Sequence, residues 1–107
     1  MTKLWKDKKM EFIDTSVNEE SKSIILNYRL LELDGKIFSN DALTIIGIKG
    51  FKRIIHKFEG ILNKIVVIDL TNSMTIRFFD SSHNLLLEVI CSDYELNHIK
   101  NTQLVRV

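Results

Sequence analysis

The 107-residue sequence contains no proline, one cysteine and four glycines. A single cysteine cannot form an internal disulfide, and it falls short of the cysteine sets that hold structural zinc. Because proline is absent and the glycines fall near predicted chain reversals, no flexible linker is evident. The length suffices for one hydrophobic core but not for two. We therefore predict a single domain that spans residues 1–107.

The sequence also lacks long apolar segments. No apolar run approaches the roughly 20 residues that a transmembrane helix requires. The first ten residues are charged and have no apolar segment of the kind found in secretory signals. With 45% hydrophobic and 27% charged residues, the composition is that of a globular protein. We therefore expect a soluble cytoplasmic protein with no membrane partner.

The sequence also lacks a large net charge of either sign. The formal net charge is +1, which gives no overall attraction to nucleic acid or to acidic lipid. The charge is nevertheless uneven, because residues 1–64 carry a net +3 and residues 65–107 carry a net −2. A mildly acidic C-terminal part is the one electrostatic signal in the sequence.

Residues 65–91 show the clearest pattern in the chain. Apolar and polar side chains alternate with period two in three segments, which short polar turns separate. This pattern predicts a three-stranded antiparallel meander. The predicted apolar face of its first strand comprises Val66, Ile68 and Leu70. The expected facing pairs are Leu70 with Met74, Ile68 with Ile76, Phe78 with Leu87, Asp80 with Leu85, and Arg77 with Glu88, with Asp69 on the diagonal.

Further strands are predicted before the meander. Residues 10–17 form a short strand, and residues 23–33 form a longer one with a bulge near Leu30 and Leu31. Asp34 and Gly35 predict a two-residue hairpin of type I′. The return strand begins at Ile37, is interrupted at residues 39–41, and resumes as another strand over residues 42–48.

Two segments suggest short helices. Phe51, Ile54, Ile55 and Phe58 share one helical face, although a strand over residues 51–58 stays open as an alternative. Residues 92–95 fit a capping box that would open a helix ending near Lys100. Residues 103–107 could close the chain as an edge strand. The predicted fold class is therefore α+β, with a mainly antiparallel sheet of five to seven strands and one or two short helices.

The sequence offers little for catalysis. His56, His83 and His98 do not pair at the spacing of metal ligands, and no glycine pattern of a phosphate-binding loop is present. Cys91, His98 and Asp93 could form a thiol triad, but the thiol faces the predicted core. We expect neither an enzyme nor a bound metal or cofactor.

One predicted surface is unusually apolar for a face open to solvent. It lies opposite the core side of the meander and comprises Asp69, Thr75, Arg77, Phe79, Leu86, Glu88 and Ile90. Either another element covers it, or it is a recognition surface, since protein interfaces commonly combine an apolar centre with a charged rim. Trp5 could likewise fill a groove on a partner, but packing on its own sheet is the favoured interpretation.

In its organisation the chain resembles the small immunity proteins of bacterial polymorphic-toxin and contact-dependent growth-inhibition systems. The shared features are a compact antiparallel sheet, the early aromatic Trp5, the late meander over residues 64–92 and an Ile/Asn/Lys-rich composition. The resemblance implies a cytosolic protein that binds one cognate toxin domain, often a nuclease. It would act as a monomer in a 1:1 complex and block the active site or the substrate groove of the toxin.

A nuclease is commonly basic where it holds nucleic acid, so its inhibitor would present carboxylates. The predicted partner-binding residues are Asp69, Phe79, Asp80, Glu88, Asp93 and Glu95. The alternative function is a small nucleic-acid-binding module that uses the basic segment 49–57, with Lys49, Lys52, Arg53 and Lys57. For the first function, no nucleic acid is expected as a partner.

Overall fold

The computed structural model of the chain describes residues 2–51 and 62–100. These residues form eight strands, which are β1 Thr2–Lys3, β2 Lys9–Asn18, β3 Ser23–Leu31, β4 Ile37–Ile46, β5 Lys64–Asp69, β6 Met74–Phe79, β7 Leu85–Cys91 and β8 Asp93–Lys100. The first sheet has the order β1-β5-β6-β7 and the second has the order β2-β3-β4-β8. All neighbouring strands are antiparallel. The prediction of a mainly antiparallel sheet is confirmed, as two sheets rather than one.

The two sheets enclose a common hydrophobic core. Strands of both sheets contribute to it, with Ile24, Leu26, Tyr28 and Leu30 from β3, Leu43 and Ile45 from β4, Ile65 and Val67 from β5, Ile76 and Phe78 from β6, and Val89 and Cys91 from β7. Burial of a large aliphatic or aromatic side chain contributes about 1.5–3 kcal/mol to folding. Trp5 is buried in the same core, with its ring centroid 5.2 Å from that of Tyr28, as the favoured interpretation predicts.

The helix predicted from residue 92 to Lys100 is wrong. These residues form β8, which pairs with β4 over its whole length. Ser92 does not cap a helix, because its amide and its hydroxyl both donate to the carbonyl oxygen of Ile46, each at 3.0 Å. Strand pairing with a distant segment thus overrides the local capping signal. The other predicted helix, in residues 51–58, and the edge strand over residues 103–107 lie outside the described residues apart from Phe51.

Strand β4 runs unbroken from Ile37 to Ile46, so the predicted interruption at residues 39–41 is wrong. Its polar residues Ser39 and Asp41 are buried on the same side as Leu43. The strand is held by β3 on one side and by β8 on the other. Backbone pairing on both edges keeps these polar residues within the strand, where composition alone predicts a break.

The hairpin between β3 and β4 is longer than predicted. The amide of Glu32 donates to the carbonyl of Lys36, and the amide of Gly35 donates back to the carbonyl of Glu32. Gly35 has a φ of +90°, whereas Asp34 is not in the positive-φ region that a type I′ turn requires. The loop is therefore a three-residue one with glycine as its third residue. The bulge predicted near Leu30 and Leu31 is confirmed.

The predicted meander is present, but only part of its register is correct. The pairs Arg77 with Glu88 and Phe78 with Leu87 are confirmed. Between β5 and β6, however, Ile76 faces Val67 instead of Ile68. Residues 65–67 are all aliphatic and buried, so the alternation did not distinguish the two faces of β5.

This one-residue difference exchanges the two faces of β5. The core side carries Ile65 and Val67, and Leu70 is exposed beyond the strand, where its amide donates to the carbonyl of Ser73. At the other turn, Leu85 faces Phe79 instead of Asp80, and the register shifts between Phe78 and Phe79. The predicted pairs of Leu70 with Met74 and Asp80 with Leu85 are therefore wrong.

Ser92 is the single residue between β7 in the first sheet and β8 in the second. Beside it, Gly47 follows β4 with a φ of +65°. A Cβ atom at Gly47 would overlap the Ser92 hydroxyl oxygen and would lie 3.0 Å from the Ser92 Cβ. Glycine is required here by both the backbone conformation and the close approach of the segment that contains Ser92.

Candidate functional site

The six predicted partner-binding residues do not form one surface. Phe79 and Glu88 lie on the outer side of the first sheet, and Asp80 lies in the turn at its end. Asp93 and Glu95 instead lie on β8, opposite Ile46 and Thr44 on the outer side of the second sheet. Because the sheets share a core, their outer sides face in different directions.

Asp69 separates from the others as well. It faces Met74 at the end of β5, on the side of the strand that carries Ile65 and Val67. The predicted diagonal position of Asp69 beside the pair of Arg77 and Glu88 is therefore wrong, because the one-residue shift places Asp69 on the opposite side of the sheet. Asp69 is exposed at the edge of the molecule.

The outer side of the first sheet is largely occupied by its own contacts. The guanidinium of Arg77 donates from Nε to Oε2 of Glu88 at 2.6 Å, with both side chains 42% exposed. Val66 and Thr75, at the centre of this side, are buried. Leu86 packs against the core instead of the outer surface. The predicted recognition surface is therefore covered at its centre, although Ile90 remains exposed.

Asp80 organises the turn between β6 and β7. Its carboxylate accepts hydrogen bonds from the amides of Ser82 and Asn84, each at 2.9 Å, and from the Asn84 side chain at 3.2 Å. These hydrogen bonds, led by the one from the Asn84 amide, lower the pKa of Asp80. The Asp80 carboxylate thus stabilises the turn through hydrogen bonds within it.

Phe79 also has a partner within the chain. The ammonium group of Lys64 lies 4.7 Å from the centroid of the Phe79 ring. The same group is 3.0 Å from Nδ1 of His83, which belongs to the adjacent turn. Lys64, the first residue of β5, therefore connects this strand to the turn and covers part of the aromatic ring.

The outer side of the second sheet is arranged differently. Asn27 donates to Asp14 at 2.7 Å, and Arg29 pairs with Glu11 at 3.1 Å, so that β2 and β3 are linked by two polar contacts. Ala42 lies in the middle of this side, directly between Asn27 and Asn97 in the neighbouring strands. A small side chain between longer ones leaves the sheet surface concave at this point.

Two shallow depressions meet at this alanine. One, of about 200 Å³, is lined by Ile13, Asn27, Tyr28, Asn40, Asp41, Ala42, Asn97 and Ile99. The other, of about 450 Å³, is lined by Ile25, Ala42, Thr44, Glu95, Leu96 and Asn97. They share Ala42 and Asn97, so a single bulky group at position 42 would enter both.

Apolar and acidic residues surround these depressions. Ile13, Ile25 and Ile99 are exposed, the last at 51%. Asp93 and Glu95 are exposed too, and neither forms an ion pair within residues 2–51 and 62–100. We call the surface formed by Ile13, Asp14, Ile25, Asp93, Glu95 and Ile99 the acidic face.

A polar row inside the second sheet was not predicted. Tyr28, Asp41 and His98 face one another directly across β3, β4 and β8. Burial raises the pKa of Tyr28, and the neighbouring Asp41 carboxylate raises it further. The alternation of Ser39 and Asp41 with Leu43 and Ile45 was the available sequence signal, but polar residues are rarely assigned to a core.

The thiol triad considered from the sequence is not assembled. Cys91 is buried, and burial raises the pKa of its thiol. His98 contacts Asp41, with Nδ1 2.7 Å from Oδ1. A buried thiol with a raised pKa is a poor nucleophile.

The basic segment of the alternative function lies mostly outside the described residues. Lys49 is exposed, and its amide donates to the carbonyl of Ile90 at 2.9 Å. Lys52, Arg53 and Lys57 are among the residues that the structure does not describe. Lys49 alone does not constitute a phosphate-binding surface.

The described part of the chain contains no cluster of three or more acidic, histidine or cysteine side chains that could hold a metal ion. It also contains no helix of the length and apolarity needed to cross a membrane. Neither the protein-family models nor the curated proteins nor the solved structures include a match to this chain. The exposed surfaces of the two sheets are therefore the features of this chain that bear on its function.

Proposed function

We propose that the chain is an immunity protein that binds and neutralises a cognate bacterial toxin domain, and that it binds this domain through the acidic face. The observation that carries the proposal is the combination of exposed isoleucines with carboxylates that have no cationic partner among the described residues. Ile25 and Ile99 illustrate the first group, and Asp93 and Glu95 the second. Such a combination suits a partner with an apolar contact region and a basic surround.

The apolar part of the acidic face supports binding to a protein. Three exposed isoleucines lie around a concave centre at Ala42, so a protruding side chain of a partner could contact several of them at once. A few well-packed side chains near the centre of an interface commonly supply most of the binding energy. The two depressions provide such a centre.

The charged part supports a basic partner. Asp93 and Glu95 lie two residues apart on the same side of β8, and Asp14 adds a third carboxylate on β2. A toxin domain that acts on nucleic acid carries positive charge where it contacts phosphates. Complementary charge would increase the association rate and select the correct partner more than it would raise affinity.

The outer side of the first sheet is less suitable for the same task. Glu88 is paired with Arg77, Asp80 is bound within its turn, and Lys64 lies over Phe79. A partner would have to replace these contacts before it gained its own. We therefore retain Asp93 and Glu95 as binding residues and leave out Phe79, Asp80 and Glu88. Asp69 is left out as well, because it lies on the opposite side of the first sheet, away from the acidic face.

The experiment combines capture with charge reversal. The tagged chain is purified from a bacterium that carries it, the companion protein is identified by mass spectrometry, and its affinity is then measured for defined variants. We expect a toxin domain encoded at the C-terminus of a large secreted protein. Asp93→Lys with Glu95→Lys should weaken binding at least about tenfold, which corresponds to about 1.4 kcal/mol.

Asp69→Lys with Glu20→Lys is the matched control, because it reverses two exposed carboxylates that lie outside the acidic face and form no ion pair among the described residues. We expect this control to bind within about threefold of the original chain, a difference of roughly 0.7 kcal/mol. Equal losses in both double variants would contradict the proposed surface. Recovery of nucleic acid with a steep salt dependence would instead favour the basic segment 49–57.

A further inference from the structure

Strand β8 is largely exposed to solvent. Residues 95–99 are all exposed, so both sides of the strand reach solvent. Within the described residues, β8 pairs only with β4, and its other edge is open. An open edge presents unpaired amide and carbonyl groups to which another strand can add.

The other terminal strands carry features that limit such pairing. Strand β1 has only two residues, and the register of β2 shifts between Phe12 and Asp14. The pairing of β7 with β6 shifts in register between Phe78 and Phe79 of β6. Short strands and bulges are common devices against edge-to-edge association. Strand β8 has neither, since its eight residues pair with β4 without a shift.

We propose that β8 is a dimerisation strand, which pairs antiparallel with β8 of a second copy of this chain. The two second sheets would then join into one continuous sheet of eight strands. The two-fold axis would pass between the Leu96 residues of the two copies, perpendicular to the sheet. This inference does not rest on the proposed function, and it differs from the monomer expected from the sequence.

The choice of axis follows from the sequence of β8. A two-fold axis perpendicular to the sheet keeps outward residues on the same side, so that each residue faces one an even number of positions away. With the axis at Leu96, the two leucines face each other, Tyr94 faces His98, and Glu95 faces Asn97. No like charges face each other in this register.

The neighbouring registers are less favourable. An axis at Glu95 would place two glutamates opposite each other, and an axis at Tyr94 would place Asp93 opposite Glu95. Like charges directly across a strand pair are destabilising. An axis at Asn97 would leave Leu96 opposite His98, without the contact between two leucines. The register with the axis at Leu96 is therefore favoured, because it buries the exposed Leu96 side chains of the two copies against each other.

The first test measures the mass of the purified chain by sedimentation across roughly a hundredfold range of concentration, because dimerisation responds to concentration. We expect a concentration-dependent increase toward twice the 12.5 kDa of the chain. Leu96→Lys should shift this transition to at least about tenfold higher concentration, since two like charges would meet at the axis. Leu85→Lys is the matched control, because Leu85 is an exposed leucine on the edge strand of the other sheet.

A chain that stays monomeric at every concentration would overturn the proposal. So would a dimer that Leu85→Lys disrupts and Leu96→Lys leaves intact. The second test fixes the register by mild oxidation of single-cysteine additions, while the native Cys91 stays buried. Leu96→Cys should give a disulfide-linked dimer, whereas Ile99→Cys should not, because Ile99 would face Asp93. Equal cross-linking of both variants, or of neither, would contradict the axis at Leu96.

Discussion

Asp41 and His98 face each other across β4 and β8, with Oδ1 of the carboxylate 2.7 Å from Nδ1 of the ring. The Asp41 side chain is only 2% exposed, whereas that of His98 is 31% exposed. His98 therefore shields a buried carboxylate at the open side of the sheet. We expect His98→Ala to lower the free energy of unfolding by about 1–3 kcal/mol, because the buried carboxylate loses its nearest cationic or polar neighbour and the ring that covers it. Urea denaturation measures this loss.

The control for that variant is Asp41→Asn, alone and combined with His98→Ala. If the contact between the two side chains is the cause, His98→Ala should cost less in the Asp41→Asn background than in the original chain. The difference should be at least about 0.5 kcal/mol, the usual coupling of residues in direct contact. Equal losses in both backgrounds would show that the ring acts through packing alone.

Replacement of Gly47 by alanine should destabilise the fold more than the same change at Gly35. Both glycines have positive φ, so both variants carry a backbone cost of roughly 1–2 kcal/mol. Only at Gly47 does the added Cβ meet Ser92, whereas nothing lies within 4 Å at Gly35. The extra overlap should add about 1–3 kcal/mol. Thermal or urea unfolding of the two variants would measure the difference, and equal stabilities would contradict it.

The stability of the fold should depend on Tyr28 in alkaline solution. The pKa of Tyr28 in the folded chain is raised above its ordinary value of 10.0 by burial and by the Asp41 carboxylate. Its contribution is therefore complete below pH 10 and is lost as the pH rises toward the folded pKa, by up to about 1.4 kcal/mol per pH unit. Tyr28→Phe should lack this loss. We would measure unfolding free energies of both chains on either side of pH 10; parallel curves would contradict the prediction.

The stability of the fold should depend on Asp80 in acidic solution. Hydrogen bonds from the Asn84 and Ser82 amides lower its pKa below the ordinary value of 3.8. Its stabilising effect is therefore present above that value and is lost as the pH falls through the lowered folded pKa. Asp80→Ala should be less stable than the original chain at neutral pH, and the gap should narrow below pH 3.8. A gap independent of pH would point to turn geometry as the cause.

Local patterns predicted the strands well where one side of a strand is clearly polar. In β6, Ile76 and Phe78 alternate with Thr75 and Arg77, and both the strand and its pairing with β7 up to Phe78 were correct. In β5, Val66 is buried although it lies on the outer side, so the alternation carried no information about the register. Period-two reasoning fails when both sides of a strand are covered.

The site could not be predicted in the same way, because it depends on which sheet each strand joins. The sequence places Glu88 and Asp93 five residues apart, yet β7 pairs with β6 and β8 pairs with β4. That assignment is a non-local property, decided by packing of the whole core. Ser92 illustrates the point, since its local sequence fits a helix cap while its hydrogen bonds go to Ile46.

Ser92 also has a mechanical consequence for the whole molecule. With one residue between β7 and β8, neither strand can slide along its neighbour without pulling the other by the same step. A misaligned meander would therefore drag the edge of the second sheet out of alignment with β4, and the close approach at Gly47 would resist the movement. The alignment of strands in one sheet thus constrains the alignment in the other, so that a register error cannot remain confined to one sheet.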